Sequence, residues 1–428
     1  MEKKIQRLKC CVQKYDWGIL GSESRVARLH SLNSGSAVEE HKPYAEFWMG
    51  THASAPSFLV QSSTDNGVSV DSHQPLSLKT FISQNPAVLG DKVLRNWGSD
   101  LPFLFKVLSV AKALSIQAHP DKKLARVLHT ARPDMYKDDN HKPEMALALT
   151  KFEALCGFIP LEELKEVFCN VPEVVELVGS TNANQLLHVE EKDGEERVRA
   201  LLQSAFTQLI SASTDVVSGV ISRLKGRLAS ESKVRKLSEK ERLVLQLEKQ
   251  YPSDVGVMSA FLFNYVKLNP GEALYLGANE PHAYICGECM EIMATSDNVV
   301  RAGLTPKHRD VPTLCSMLTY KQGCPDILPG VPSSPYMRKY LPPFDEFEVE
   351  QCLLPNGASS VFPASPGPSI IVVISGEGRL RTELMDGADA VTEGDVLFSP
   401  ANVEITVTSS SELHLYRAGV SSRFLLGS

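Results

Sequence analysis

Gln117 and His119 stand two residues apart in SIQAHPDK, and Glu144 follows 25 residues after His119 in NHKPEMALAL. On a strand, residues i and i+2 point to the same face, so the Gln117 amide and the His119 imidazole can reach one metal ion. Glu144 precedes an apolar run that reads as the next strand. His282, in ANEPHAYI, follows a glycine-containing hairpin. Two imidazoles, a carboxylate and an amide oxygen form a four-ligand set of nitrogen and oxygen, which suits a borderline metal such as zinc. Each residue alone has a plainer reading: a lone strand histidine is usually a satisfied structural residue, and Gln-x-His by itself is a weak motif. The weight lies in their convergence.

The elements that must bring them together are legible as a β, α, β, β order. Residues 1 to about 110 are short apolar or mixed runs broken by Gly, Pro, Ser and Asn, which favours strands and loops over long helices. Between residues 160 and 250 the period changes. Val198, Leu201, Leu202, Ala205, Phe206, Leu209 and Ile210 repeat as i, i+3, i+4, i+7, i+8, i+11 and i+12, the stripe of an amphipathic helix. Val217, Val220, Ile221 and Leu224 mark a second helix, and Leu243, Val244 and Leu247 a third. DKKLARVLHTARP reads as a shorter helix beside the proposed site. Strand patterning returns from NYVKLNPGEALYLG onward, with Pro270-Gly271 and Gly277 as turns. The proline-rich CPDILPGVPSSPYMRKYLPPFDEF reads as an extended linker or boundary. The last segment has short strands at 8–12-residue spacing, the pattern of a small barrel or jelly roll. The β segments flanking the helices are each too short to close a barrel, so the helices read as an insertion into one β domain.

The chain has 428 residues, enough for two or three domains, with 44 basic and 51 acidic residues and a net charge of −7. That balance argues against general nucleic-acid binding. No apolar run reaches the length of a membrane span, and the first residues, MEKKIQRLKCCVQKYDWG, lack a signal-peptide core. The nine scattered cysteines do not form a disulfide framework, so a cytoplasmic protein with reduced thiols is expected. No free apolar stripe asks for a second subunit, and a monomer is expected. CGEC, Cys286 to Cys289, has no partner pair and reads as structural; SGEGRL has no following helix and is no nucleotide loop; His129 and His308 read as surface residues.

Six stretches, YDWG, KPYAEFWMGTH, SIQAHPDK, DDNHKPEMA, GANEPHAYI and MATSDNVVRAGLTPK, together closely resemble the type I phosphomannose isomerases of eukaryotes, in order from Tyr15 to about residue 310. The resemblance implies a mainly β chain with an α insertion: a double cupin, two jelly-roll barrels, with a helical domain inserted into the first. The expected boundaries are 1–158 for the first part of the metal-bearing cupin, 159–258 for the helices, 259–325 for its second part, and 326–428 for a cupin without metal. It also implies one Zn²⁺ per chain on Gln117, His119, Glu144 and His282. The implied reaction interconverts mannose 6-phosphate and fructose 6-phosphate through a cis-enediol(ate), feeding GDP-mannose synthesis. Zinc with one carboxylate leaves the site at about +1, a charge that favours an enediolate. By the resemblance Arg301 is an active-site residue, and its fixed cation suits it to stabilising charge while making it a poor base.

The general base stays open. The His141–Lys142 pair, Glu291 and Asp297 are candidates, with Lys142 ahead of Glu291 because an extended segment puts Lys142 and Glu144 on one face. For Glu291 and Asp297 the competing reading is a structural salt bridge to Arg301. Lys106, Ser115 and Lys307 are expected to hold the phosphate of a small phosphorylated hexose; the competing reading is ordinary surface lysines. Two other classes compete: a sugar-binding cupin without catalysis, which would need a broken motif, and an iron oxygenase, against which the additional Gln ligand argues.

Overall fold

Phe103–Val110 (FLFKVLSV) is a strand buried at every position, and its alternation explains what lies around it. Phe103, Phe105 and Val107 enter one core with Met145, Leu147, Met290 and Ile292 of neighbouring strands. Leu108 and Val110 enter another, with Ala146, Ala148 and Cys289. Burial on both faces means that this sheet is sandwiched between two layers. The computed structural model describes residues 4–60, 75–383 and 387–427.

The first β unit runs, strand beside strand, through Cys11–Gln13, Glu46–Met49, Phe103–Val110, His282–Ala294, Glu144–Ala148, Ala273–Leu276 and Ile327–Leu328. The 13-residue strand His282–Ala294 also pairs with Phe152–Phe158 and Ile116–Ala118, and Val300–Gly303 pairs with the latter. One long strand therefore belongs to both faces of a folded-over sheet. It turns near Gly287, at φ +107°, where a Cβ would lie 2.3 Å from the Lys151 carbonyl oxygen. A residue with a side chain fits neither that angle nor that space.

The C-terminal β unit has an eight-stranded sheet facing a four-stranded one. Ile371, Val373, Leu397 and Leu415 of the first meet Phe362, Leu380, Ile405 and Val407 of the second. The other face of the larger sheet, with Ile370, Val372, Phe398 and Tyr416, closes on the core of the first unit. Gln6–Lys9 lies in this sheet, paired with Val396–Ser399. The proline-rich stretch is extended but is not a bare linker. Ile327–Leu328 pairs with Ala273–Leu274, and Met337–Tyr340 pairs with Val349–Cys352. Pro332 is accommodated because its strand, Val331–Ser334, is at the sheet edge.

Phe152–Phe158 and Phe263–Leu268 are hydrogen-bonded neighbours, and the chain between them is helical. The chain is thus mainly β with a helical insertion. The predicted stripes are the buried faces of Glu195–Ile210, Thr214–Glu231 and Glu239–Gln250, Leu201 alone being only partly buried. Their core is continuous with Ile116, Ala118, Ala283 and Val300 on the outer side of the strands that carry the ligands. Among the described residues no helix is long and apolar enough to cross a membrane. Ser238 and Glu241 form a reciprocal capping box at the last long helix. Ser238→Ala is expected to remove about 1 kcal/mol, read as a lower thermal midpoint with turnover unchanged.

Candidate active site

Strand register sets the centre of the site. Arg301 lies opposite Gln117, and Gln117 opposite His282, so three of the predicted residues form one row across adjacent strands. His119 follows two residues after Gln117 and keeps its side. Glu144 begins the strand Glu144–Ala148, opposite Leu276 and Met293. Its two oxygens face two imidazoles: Oε1 is 3.4 Å from His119 Nε2, and Oε2 is 3.3 Å from His282 Nε2. All three residues are buried, and their ligand atoms lie within 4.8 Å of one another.

Each imidazole is oriented from behind. His119 Nδ1 lies 2.7 Å from the Asn298 carbonyl oxygen and His282 Nδ1 lies 3.0 Å from that of Glu280. A carbonyl only accepts, so both rings carry their proton on Nδ1 and turn a lone pair on Nε2 into the centre. Burial pushes His119 down to about 4 against the pull of Glu144, keeping it neutral. Burial is the largest influence on Glu144 and opposes its ionisation, yet Lys142, with Nζ 3.1 Å from Oε1, together with His119 and His282 holds the carboxyl well below its usual range. His119 Nε2, His282 Nε2 and Glu144 Oε2 are buried without a hydrogen-bond partner. Two lone pairs and an anionic oxygen converging without a proton between them are the donor set of a divalent cation. Gln117 stands opposite His282 on the adjacent strand, and its Oε1 accepts from Ser115 Oγ at 3.4 Å.

A cavity of about 680 Å³ opens over this floor, lined by Lys106, Ser115, Gln117, Lys142, Asp297, Arg301 and Lys307 among others. Seven of the predicted residues are thus brought together around one space. Arg301 is half-buried; among the described residues no carboxylate pairs with its guanidinium, and burial alone pulls its value down. Lys307 is exposed at the rim. Lys106 is buried, its Nζ 2.9 Å from Glu291 Oε2 and 3.2 Å from Glu46 Oε2, and these carboxylates keep it charged despite burial. Glu291 lies behind the cavity wall. Burial, reinforced by Glu144 and Glu46, raises its value against the opposing effect of Lys106.

The competing reading of Glu291 and Asp297 as salt-bridge partners of Arg301 does not hold. Neither Glu291 nor Asp297 bridges to Arg301: Glu291 takes Lys106, and Asp297 Oδ1 lies 3.2 Å from His52 Nε2, a contact that holds Asp297 low. His141 also leaves the site. Its Nε2 lies 2.6 Å from Glu346 Oε1, because adjacent residues of an extended segment point to opposite sides and Lys142 takes the inner one. Cys286 and Cys289 are both free, and among the described residues no further ligand residues gather with them into a metal-holding group. Glu46, Trp48 and His52 line the cavity without having been singled out. Trp48 Nε1 donates to Glu46 Oε2 at 2.6 Å, and Lys106 Nζ sits 4.9 Å from the Trp48 ring centroid. The alternation in AEFWMGTH was the available signal, since Glu46, Trp48 and His52 share a parity.

The chain matches the profile described as "Phosphomannose isomerase type I, catalytic domain" over residues 5–161, and the helical insertion domain of the same family over residues 177–263. "Mannose-6-phosphate isomerase 1" of Arabidopsis thaliana is 60% identical over 99% of this chain and 95% of that protein. "Mannose-6-phosphate isomerase" of Bos taurus is 41% identical over 97% and 98%. Among solved structures, a "mannose 6-phosphate isomerase bound with zinc and yttrium" superposes with a TM-score of 0.78 at 29% identity, over 97% of this chain and 99% of that one. Glu144→Ala or His119→Ala is expected to weaken binding of a divalent cation by at least about 100-fold, measured by titration calorimetry on metal-stripped protein. Cys286→Ser should leave that affinity unchanged.

Proposed function

Since the chain belongs to the type I phosphomannose isomerases, we propose that it interconverts mannose 6-phosphate and fructose 6-phosphate through a cis-enediol(ate), with one Zn²⁺ held by Gln117, His119, Glu144 and His282. The observation that carries this reading is the set of buried, hydrogen-bond-free ligand atoms on His119, Glu144 and His282 beneath a sugar-sized cavity. Bound there, zinc would supply Lewis-acid polarisation of a carbonyl and stabilisation of negative charge on oxygen.

The remaining work falls to side chains. Proton transfer between C2 and C1 needs a group at the cavity surface. Lys142 lines it, whereas Glu291 is buried behind it and bonded to Lys106, so Lys142 is the favoured base. Arg301, with no carboxylate partner among the described residues, has its full cation free to stabilise the enediolate. Asp297 acts beside it by orienting His52. Ser115 and Lys307 hold the phosphate. The charge of Lys106, considered for the same task, is shared by two carboxylates, which makes it a brace for Glu291.

The two packed β units are read as a double cupin, the first carrying the metal across residues 1–158 and 259–325, apart from Gln6–Lys9 and Phe58–Leu59, which join the sheet of the second, 326–428, whose role is to close the first. A cytoplasmic monomer supplying mannose units for GDP-mannose fits this assignment. A coupled assay on mannose 6-phosphate is the test, and no turnover by zinc-loaded protein would sink the reading. Dialysis against a chelator should abolish activity and added Zn²⁺ restore it. Arg301→Ala should lower kcat by about 10²–10³-fold, with zinc content remaining near one per chain.

A further inference from the structure

The helical insertion meets the cavity through its final turn, Gln250 to Gly256. On one side Gln250 Oε1 accepts the Ala113 N–H at 3.0 Å, and the Tyr251 hydroxyl donates to the Ala113 carbonyl at 2.5 Å. The Tyr251 ring also lies under Lys112, whose Nζ is 4.3 Å from its centroid. On the other side Asp254 Oδ1 accepts the Leu304 N–H at 2.7 Å, and Oδ2 accepts that of Thr305 at 3.1 Å. The same Oδ1 takes the Gly256 N–H at 2.7 Å.

The grip on the second side is tight. A Cβ at Gly303 would lie 2.5 Å from Gly256 Cα, so the two backbones touch. Leu304 sits at φ +53°, a left-handed conformation unfavourable for a branched side chain. Such strain persists only where the surroundings over-determine it, and it gathers at ligand clamps. Here the surroundings are the Asp254 carboxylate. A carboxylate in the wall of a phosphate-binding cavity would repel its ligand; this one has its charge taken up by three backbone N–H groups.

We propose that Asp254 is a positioning residue for substrate phosphate: it holds the Arg301–Lys307 wall, while Gln250 and Tyr251 hold the Lys112–Ser115 wall, so the insertion sets the gap across which the phosphate is gripped. This rests on the isomerase reading and on Ser115 and Lys307 as phosphate contacts. His119, Glu144, His282 and Lys142 lie outside the two gripped segments, so the insertion acts first on substrate affinity, with Arg301 as its one direct link to the chemical step.

The test uses the full zinc-loaded chain. Asp254→Asn keeps one acceptor and replaces the other with a donor facing the Thr305 N–H. It should raise KM for mannose 6-phosphate about tenfold, with kcat within about threefold of wild type. Zinc content should be unchanged, and the inhibition constant of inorganic phosphate should rise in parallel with KM. Tyr251→Phe should move KM in the same direction by less, and it carries the test alone if Asp254→Asn does not fold. Unchanged KM and phosphate inhibition, or a joint fall of kcat, zinc and thermal midpoint, would overturn the proposal. An inactive wild type would instead defeat the isomerase reading, so the two failures are distinguishable.

Discussion

A buried carboxylate wedged between two deprotonated imidazole nitrogens is the constraint on which the rest depends. Glu144, His119 and His282 are almost wholly withdrawn from water, yet the atoms they turn toward each other have no proton to share. Burying an uncompensated charge costs several kcal/mol, and Lys142 offsets only part of that for Glu144. The arrangement is a site preorganised for a cation. Its orientation comes from the Asn298 and Glu280 carbonyls, which fix both tautomers and leave the rings no alternative hydrogen bond at the centre.

Holding these three groups at that spacing takes strands that are buried on both sides. The outward residues of the ligand-bearing strands, Ile116, Ala118 and Ala283, anchor in the helical core, and Met145 and Leu147 anchor against the C-terminal sheet. Rigidity on both flanks keeps the inward residues in place without extra hydrogen bonds at the centre. Polar groups that remain inside are paired with each other: Lys106 with Glu46 and Glu291, and Trp48 with Glu46. Among the described residues Arg301 has no carboxylate partner, and a cation left so beside a cavity is available to an anionic ligand.

Much of the site was legible because it rests on local rules. Period-two alternation put Gln117 with His119 and Lys142 with Glu144, and the 3.6-residue stripes marked the helices at Glu195–Ile210, Thr214–Glu231 and Glu239–Gln250. What failed was pairing at long range. For Glu291 and Asp297 the competing reading, a salt bridge to Arg301, gives way: strand register sets Glu291 opposite Lys106, and a loop brings His52 to Asp297. His141 looked like part of a catalytic pair until Glu346, about 200 residues on, claimed it. The proline-rich stretch read as a linker because edge pairing leaves almost no pattern in the edge strand itself.

By itself, the sequence determined the ligand types, the faces they occupy and the order of β and helical segments, since alternation, periodicity and turn residues act over a few positions. Only the tertiary structure decided which carboxylate neutralises which cation, that Gln6–Lys9 and Phe58–Leu59 join a sheet whose other strands begin beyond residue 330, and that the end of the insertion reaches the cavity. Those outcomes depend on backbone hydrogen bonds and burial between segments far apart in the chain. Their energies arise when the segments meet, and no short stretch of residues carries them alone.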